Sequence, residues 1–183
     1  MKPENLQKIN KNLSKKLEIK NHMALPQIEH VTVFTGVGKI KGEKDLLEQI
    51  KNDLVKITGQ KPISSRAHKS IAAFKLREGD IVGLKVTLRK KRMYDFLEKV
   101  AKIVLPSQRD FRGLNPKSFD KENNFNLGFK EQTVFTEIAH EHAARPFGLQ
   151  VTIKINGKNK TQAQTLLEEL GFPFVGEVTK KGK

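Results

Sequence analysis

The chain has 183 residues, of which 37% are apolar, and carries 35 Lys or Arg against 20 Asp or Glu, for a net charge of +15. This composition supports a folded protein whose partner is an anionic surface: RNA, DNA or a charged membrane. The absence of Cys excludes disulfides, a thiolate nucleophile and a Cys-ligated zinc site, and neither a signal segment nor a run of about 20 apolar residues is present. We therefore expect a soluble, cytoplasmic protein.

Hydrophobic periodicity predicts a helix, a strand and a second helix in the first third of the chain. Apolar residues at spacings of three and four indicate an amphipathic, Lys-rich helix over residues 3–18, which the segment 21–26 ends. Residues 28–35 alternate and are rich in β-branched side chains, which predicts a strand. Apolar residues then trace one helical face over 46–57, and Gly59 is placed to cap that helix.

The middle of the chain predicts a hairpin followed by a helix. The segments 71–76 and 81–89 flank a turn at 78–80, and we expect them to pair as two strands. The apolar pattern over 93–105 predicts a helix that Pro106 stops.

The last third predicts a long connection, a strand and a helix. Residues 107–126 are polar and long for a plain connection, so they form either a functional loop or a mobile one. Residues 149–155 alternate as a strand. Thr161 and Gln164 then have the spacing of a capping box, and Gly171 ends the helix that follows.

The order of elements indicates an α+β fold. Strand, helix, hairpin, helix, strand and helix resemble a split β-α-β arrangement, ferredoxin-like or RRM-like, in which helices cover one face of an antiparallel sheet. The other face of such a sheet is free to bind. We expect an N-terminal basic helix over 1–20, a single α+β domain over 21–174 and a basic tail over 175–183.

Positive charge is concentrated on the predicted hairpin. Residues 60–92 contain ten Lys or Arg and two acidic residues, a net charge of +8, which is over half of the total in under a fifth of the length. Like charges on neighbouring strands repel one another, and a polyanion removes that repulsion. Nucleic acid is therefore the first partner that the sequence predicts.

Three motifs suggest other chemistry and lack a required residue. Residues 36–38, Gly-Val-Gly, precede a helix, but a nucleotide-binding loop needs Gly where the chain has Lys41, so we interpret them as a tight turn. Residues 140–142, His-Glu-His, lack the second zincin His because Ala144 stands there, which favours surface histidines. The carboxylates of Glu131, Glu137 and Glu141 have no nucleophile or base that the sequence can place beside them. We predict no metal, no cofactor and no catalytic residue.

Six short blocks in order carry a family resemblance. They are residues 57–62 (Ile-Thr-Gly-Gln-Lys-Pro), 69–72 (Lys-Ser-Ile-Ala), 74–79 (Phe-Lys-Leu-Arg-Glu-Gly), 83–89 (Gly-x-Lys-Val-Thr-Leu-Arg), 109–114 (Arg-Asp-Phe-Arg-Gly-Leu) and 117–120 (Lys-Ser-Phe-Asp). Together they resemble the bacterial-type large-subunit ribosomal protein five family, the universal 5S rRNA-binding proteins of the central protuberance. The resemblance runs from about Asn21 to Phe174.

The resemblance implies a non-enzymatic, ribosome-bound protein with several partners. These are 5S rRNA, 23S rRNA, the peptidyl-site tRNA, a small-subunit head protein across an inter-subunit bridge, and neighbouring 5S rRNA-binding proteins. We expect 5S rRNA contacts from Phe34, Gln60, Lys61, Arg66, Lys69, Ser70, Lys85, Thr87 and Arg89. A tRNA-contacting loop would contain Phe74, Lys75, Leu76, Arg77, Glu78 and Gly79, and the bridge loop would contribute Arg109, Arg112 and Lys117.

The chain departs from the family pattern at four positions. Phe34 closes the first strand where the family usually has Asn, so a ring that can stack replaces a hydrogen-bonding amide. Because Thr32 and Phe34 alternate with two valines that suit the helix-covered face, we expect Phe34 on the RNA-facing side; the alternative is that it packs in the core. Ala73 stands where Gly is commoner in the tRNA-facing loop, and Lys121 and Asn123 stand where glycines are usual in the bridge-side loop.

Two functions of other classes use the same basic sheet. An RNA-processing enzyme would dock its substrate there, and it would need convergent acid, base or metal residues. A free RNA-binding regulator would use the surface away from the ribosome.

Overall fold

The computed structural model describes residues 3–40, 43–108, 111–138 and 145–175. Three sequence-based predictions fall outside them: Arg109 of the bridge loop, the histidine pair at 140–142, and the basic tail beyond Val175.

The described chain contains five α-helices and five strands. The helices are α1 (Pro3–Lys16), α2 (Lys44–Thr58), α3 (Lys90–Lys99), α4 (Leu105–Ser107) and α5 (Lys160–Glu169), with a π-helical segment, Val100–Val104, joining α3 to α4. The strands are β1 (Gln27–Gly36), β2 (Ile63–Arg66), β3 (Ile81–Leu88), β4 (Phe125–Phe129) and β5 (Leu149–Asn156). They form one antiparallel sheet in the order β2-β3-β1-β5-β4.

The predicted α+β class is confirmed. Without β4 the strand order is β2-β3-β1-β5 and the chain order is β1, α2, β2, β3, α3, β5, which is the split β-α-β arrangement. β4 adds a strand at the edge beside β5. The expected division into a helix, one domain and a tail stays a prediction.

The chain forms two compact units that interleave along the sequence. The first unit takes its residues from 1–30, 89–126 and 152–183, and the second unit from 31–88 and 127–151. Strands β1, β4 and β5 contribute residues to both units.

The second unit has one buried sheet face. The buried side chains of β1 and β3 alternate in step, since Val31 pairs with Leu88 and Val33 with Val86. α2 packs against β3 and contributes a buried apolar stripe of its own. Burying such side chains stabilises each by about 1.5–3 kcal/mol relative to exposure, which fixes the register of these strands.

The first unit has a core of helix faces and aromatic rings. Ile9 and Leu13 of α1 are buried, and α1 packs against α5. Phe119 and Phe125 lie 4.7 Å apart by ring centroid, and Phe125 meets Phe174 edge-on at 5.4 Å. These tilted ring pairs contribute about 0.5–1.5 kcal/mol each beyond their burial.

The predicted hairpin partner of β3 is wrong. β3 pairs with β2, whereas residues 71–76 form a 3₁₀ turn closed by a single bridge between Ile71 and Leu76. Lys75 has a φ of 49°, which turns the chain back after three residues and prevents an extended strand.

Three smaller predictions are also corrected. β4 begins inside the segment that was predicted to be a connection. Asn159, not Thr161, is the N-cap residue of α5, and the Thr161 carbonyl accepts a hydrogen bond from the Thr165 hydroxyl inside the helix. Pro106 lies within α4, and the helix ends one residue later, after Ser107.

Both glycine caps are confirmed. Gly59 follows α2 with a φ of 67° and donates its N–H to the Val55 carbonyl. Gly171 follows α5 with a φ of 94°, and its N–H reaches the Glu168 carbonyl. Such left-handed positions favour a residue without Cβ.

Candidate RNA interface

The second unit leaves the other face of its sheet open. Along each strand the side chains of this face alternate with the buried side chains, so the strand register shows which residues lie on it. We call this surface the open face; it consists of Thr32, Phe34 and Gly36 of β1, Gly83, Lys85 and Thr87 of β3, and Ile63 and Ser65 of β2.

Strand register brings three side chains of the open face into one row. Phe34 of β1 is paired with Lys85 of β3, and Ile63 of β2 is paired with the same Lys85. Side chains of directly paired residues lie on the same face of a sheet and touch their neighbours. The row therefore places a cation between two apolar groups.

Phe34 lies on the open face and not in the core. It is half-buried because its ring lies over Gly83: a Cβ at Gly83 would be 2.5 Å from Phe34 Cε2 and 2.6 Å from Cζ. Real Cβ atoms essentially never approach another atom so closely, so the ring occupies space that only a glycine leaves free. This contact also explains why Gly83 is buried although it lies on the open face.

Gln60 and Thr87 lie side by side. The Gln60 side chain donates a hydrogen bond from Nε2 to the Thr87 carbonyl oxygen at 3.2 Å, and its backbone N–H donates to the Thr58 hydroxyl at 3.3 Å. The left-handed turn at Gly59 directs the chain to this position. Both side chains are half-buried at the edge of the open face.

The predicted cations of the second unit are exposed. Lys61 precedes β2, Arg66 ends it and Lys69 follows in the next loop. Ser70 has a structural role because its hydroxyl oxygen accepts the Glu78 N–H at 3.0 Å. Arg89 belongs to the first unit, where it is the exposed N-cap residue of α3.

The predicted tRNA-contacting residues lie in a loop between β2 and β3. We call residues 67–80 the β2–β3 loop. The Ala67 N–H donates to the Asp80 carbonyl at 2.8 Å, and the Gly79 N–H donates to the Ala67 carbonyl at 3.0 Å, so the base of the loop is closed by its own backbone. At its tip Phe74 is 75% exposed, which is unusual for an aromatic ring without a partner to cover it.

The remaining cations of the predicted bridge loop lie in the first unit. Arg112 and Lys117 are both exposed, and Lys117 donates its N–H to the Asn115 side chain at 2.9 Å. Asn123 has a φ of 63°, and its side chain donates to the Gly157 carbonyl at 3.1 Å. Asn is one of the few residues other than glycine that visit this region of backbone space, so it fits this turn.

Hydrogen bonds organise the acidic turn that precedes β4. Burial would raise the pKa of Asp120, but the Asn124 side chain and two backbone N–H groups donate to its carboxylate and hold that pKa below its ordinary value. A nearby ion pair joins Lys154 to Glu122 at 2.9 Å and lowers the pKa of that Glu. Hydrogen bonds and an ion pair within the protein therefore stabilise the carboxylates of this turn.

Sequence reasoning missed Ile63 and Ser65. β2 is only four residues long and contains a single apolar residue, so it has no periodicity to detect. Thr32 lies on the same face as Phe34, as its alternation with Val31 and Val33 predicts.

Other kinds of site find no support in the part of the chain that the structure describes. Its His, Asp and Glu side chains form no group of three or more that could bind a metal ion. None of its helices is both long enough and apolar enough to span a membrane.

Two patterns of one protein family match this chain. The sequence pattern described as "Ribosomal protein L5" matches residues 21–77, and the pattern that describes the C-terminus of the same ribosomal family matches residues 81–174. The chain belongs to the ribosomal protein L5 family. Members of this family are structural, RNA-binding proteins of translation, so the prediction of a non-enzymatic, ribosomal protein is confirmed.

Individual relatives match over nearly their whole length. The large ribosomal subunit protein uL5 of Dichelobacter nodosus is 44% identical over 166 residues, 91% of this chain and 93% of the relative. The uL5 protein of Nitrosococcus oceani is 44% identical over 162 residues, 88% and 90% of the two chains. The uL5c protein of Gracilaria tenuistipitata is 44% identical over 168 residues, 92% and 94% of the two chains. Membership of this family also confirms the predicted cytoplasmic, ribosome-bound location.

Proposed function

We propose that the protein is a structural constituent of the large ribosomal subunit that binds 5S rRNA through the open face and the segments beside it. The observation that carries this proposal is the asymmetry of the sheet in the second unit. One face is apolar and buried, while the other presents Lys85, Thr87 and the neighbouring Gln60 to solvent. Membership of a ribosomal family supports RNA as the partner.

The chemistry of the open face suits folded RNA. An A-form helix hides its base edges in a deep, narrow groove, so a protein grips phosphates, 2′-hydroxyls and unpaired bases instead. Lys61, Arg66 and Lys85 supply exposed positive charge for phosphates. Thr87 and Gln60 are small polar groups suited to hydroxyls and base edges.

Further partners fit the loops beyond the open face. The β2–β3 loop, with Lys75 and Arg77 near an exposed Phe74, would contact the peptidyl-site tRNA. Arg112 and Lys117 would contact the small-subunit head across the bridge, together with Arg109. Contacts with 23S rRNA and with neighbouring 5S rRNA-binding proteins complete the proposal.

A titration of labelled 5S rRNA with purified protein tests the 5S site. Thr87→Ala and Lys85→Gln should each weaken binding, the first by about 1–3 kcal/mol if the RNA group that it contacts is left buried and unpaired. Lys56→Gln is the matched control, because Lys56 is an exposed cation of α2 and lies off the sheet. If all three variants bind like the original protein while melting at the same temperature, the open face is not the 5S rRNA site.

A further inference from the structure

An apolar pair on the open face is not explained by contact with phosphates. Ile63 is 74% exposed, and Phe34 lies two strands away in the same row. Exposing an isoleucine on a sheet costs free energy and favours association with something apolar. The neighbouring cation, Lys85, excludes a purely apolar partner.

The position of Phe34 is fixed by the sheet beneath it. The Cε2–Cζ edge of its ring rests over Gly83, where a side chain of any size would push it away. The ring is only half-buried by this contact, so part of it faces solvent. An aromatic ring held in place before binding loses little conformational entropy when a second planar group stacks on it.

We propose that Phe34 and Ile63 form a binding site for one unpaired nucleobase of the bound rRNA. The base stacks on the Phe34 ring, Ile63 packs against its edge or sugar, and the ammonium group of Lys85 neutralises an adjoining phosphate. Aromatic side chains on central strands of an antiparallel sheet stack bases in the same way in RNA-recognition domains. This proposal rests on the proposed 5S rRNA site and adds the kind of nucleotide that the site selects.

The charge of the region favours RNA over a protein as the occupant. Residues 60–92 carry a net charge of +8, and Lys61, Lys85 and Arg66 of this segment are exposed beside the apolar pair. A single-stranded nucleotide segment has both a planar base that can pack on the apolar pair and a phosphate backbone that can bind the cations. An apolar protein segment would have to leave these cations without counterions.

Variants of Phe34 separate stacking from apolar contact. Phe34→Tyr keeps the ring, whereas Phe34→Leu keeps apolar bulk and loses the π face. We expect Phe34→Tyr to bind 5S rRNA within about twofold of the original protein. Phe34→Leu should bind more weakly, by up to the roughly 5- to 150-fold that alanine substitution of a single stacked ring costs. Ile63→Ser should cause a smaller loss in the same direction.

A spectroscopic readout identifies the base. 5S rRNA is prepared with 2-aminopurine at one unpaired position at a time, and its fluorescence is measured with and without protein. At one position the original protein and Phe34→Tyr should quench the fluorophore, and Phe34→Leu should not. Quenching at no position, or equal quenching by Phe34→Leu, would overturn the stacking site.

The same titrations distinguish failure of this inference from failure of the proposed function. If Lys85→Gln and Thr87→Ala weaken binding while Phe34→Leu binds like the original protein, the open face binds RNA and the stacking site is wrong. If none of these variants changes affinity, both proposals fail. Thermal melting of each variant ensures that only folded protein is compared, and since Phe34 lies outside the core we expect similar melting temperatures.

Discussion

Gly83 leaves free the space that the Phe34 ring occupies. The two residues lie on adjacent strands, and the ring covers the position that a Cβ at Gly83 would occupy. The same hypothetical Cβ would lie 3.2 Å from the Thr35 carbonyl oxygen, so the backbone on that side also leaves little room. A bulkier residue at position 83 would displace the ring and not the backbone, because the ring is open to solvent on its other side.

We predict that Gly83→Ala weakens RNA binding mainly by displacing Phe34. The added methyl group should turn the ring away from the sheet, with only a modest loss of stability because the ring can move towards solvent. Affinity for 5S rRNA should fall about as much as in Phe34→Ala.

A double-mutant cycle measured by RNA titration checks the mechanism. In a Phe34→Ala background the Gly83→Ala substitution should have almost no further effect, because there is no ring left to displace. Additive losses from the two substitutions would show that Gly83 acts on RNA directly.

At the scale of elements, one carboxylate of α5 makes two polar contacts with α1. Lys16 Nζ lies 2.6 Å from Glu169 Oε1, and the Asn12 side chain donates to Oε2 at 3.1 Å. Burial by itself would raise the pKa of Glu169, whose side chain is 13% exposed, but these two donors lower it below the ordinary value of 4.5. The folded state therefore favours the ionised carboxylate.

This shift sets the sign of a pH dependence. Because the pKa of Glu169 is lower in the folded state than in the unfolded state, its stabilising contribution is complete above the ordinary pKa and is lost as pH falls through the folded-state value. Glu169→Gln should lower the stability of the first unit at neutral pH by up to about 1 kcal/mol.

Melting curves of Glu169→Gln across a pH series test this expectation. The difference from the original protein should be present at pH 7 and disappear once the pH is below the folded-state pKa. Glu48→Gln is the control, since Glu48 is an exposed carboxylate of α2. A destabilisation of Glu169→Gln that is constant down to low pH would mean that packing and not ionisation is responsible.

The charge of the β2–β3 loop can be removed without breaking the backbone hydrogen bonds that shape it. Its base is closed by backbone hydrogen bonds at Ala67, and the Arg77 N–H donates to the Asp80 carboxylate at 2.8 Å, so truncating the Lys75 and Arg77 side chains leaves these bonds in place. We predict that Lys75→Ala combined with Arg77→Ala keeps 5S rRNA affinity nearly unchanged and weakens retention of peptidyl-site tRNA on assembled ribosomes. Equal losses in both assays would place the loop in the 5S rRNA site.

The whole molecule carries a net charge of +15, over half of it on residues 60–92. A protein that neutralises about 6–10 phosphates loses roughly a thousandfold or more in affinity between about 50 and 200 mM salt, because counterions compete for the RNA. We expect 5S rRNA binding to show such a dependence. Titrations at several salt concentrations measure the slope, and an affinity independent of salt would contradict an electrostatic interface.

The two halves that the family patterns match are not the two structural units. Residues 21–77 and 81–174 follow one another along the chain, whereas the first unit draws on three separate segments and the second unit on two. Each unit therefore needs residues from both halves.

The sequence by itself determined the elements that bury a periodic apolar pattern. In β1, α2, β5 and α5 the spacing of apolar residues matches the repeat of the backbone. Only that secondary structure places all of these side chains on one face, where they can be buried together. The same alternation determined that Phe34 lies on the other face of the sheet from Val31 and Val33. The blocks of the resemblance likewise determined the family, because several short motifs at fixed spacing are far more specific than any one of them.

Only the tertiary structure decided the elements with little pattern of their own. β2 is a strand because β3 offers it hydrogen bonds, and residues 71–76 are a turn because β3 is already paired. The row of Phe34, Lys85 and Ile63 joins positions that are distant in sequence, and the space under the Phe34 ring exists because strand register places Gly83 there. A short strand gains its stability from its neighbours and not from its own residues, so its position becomes known only when the sheet is assembled.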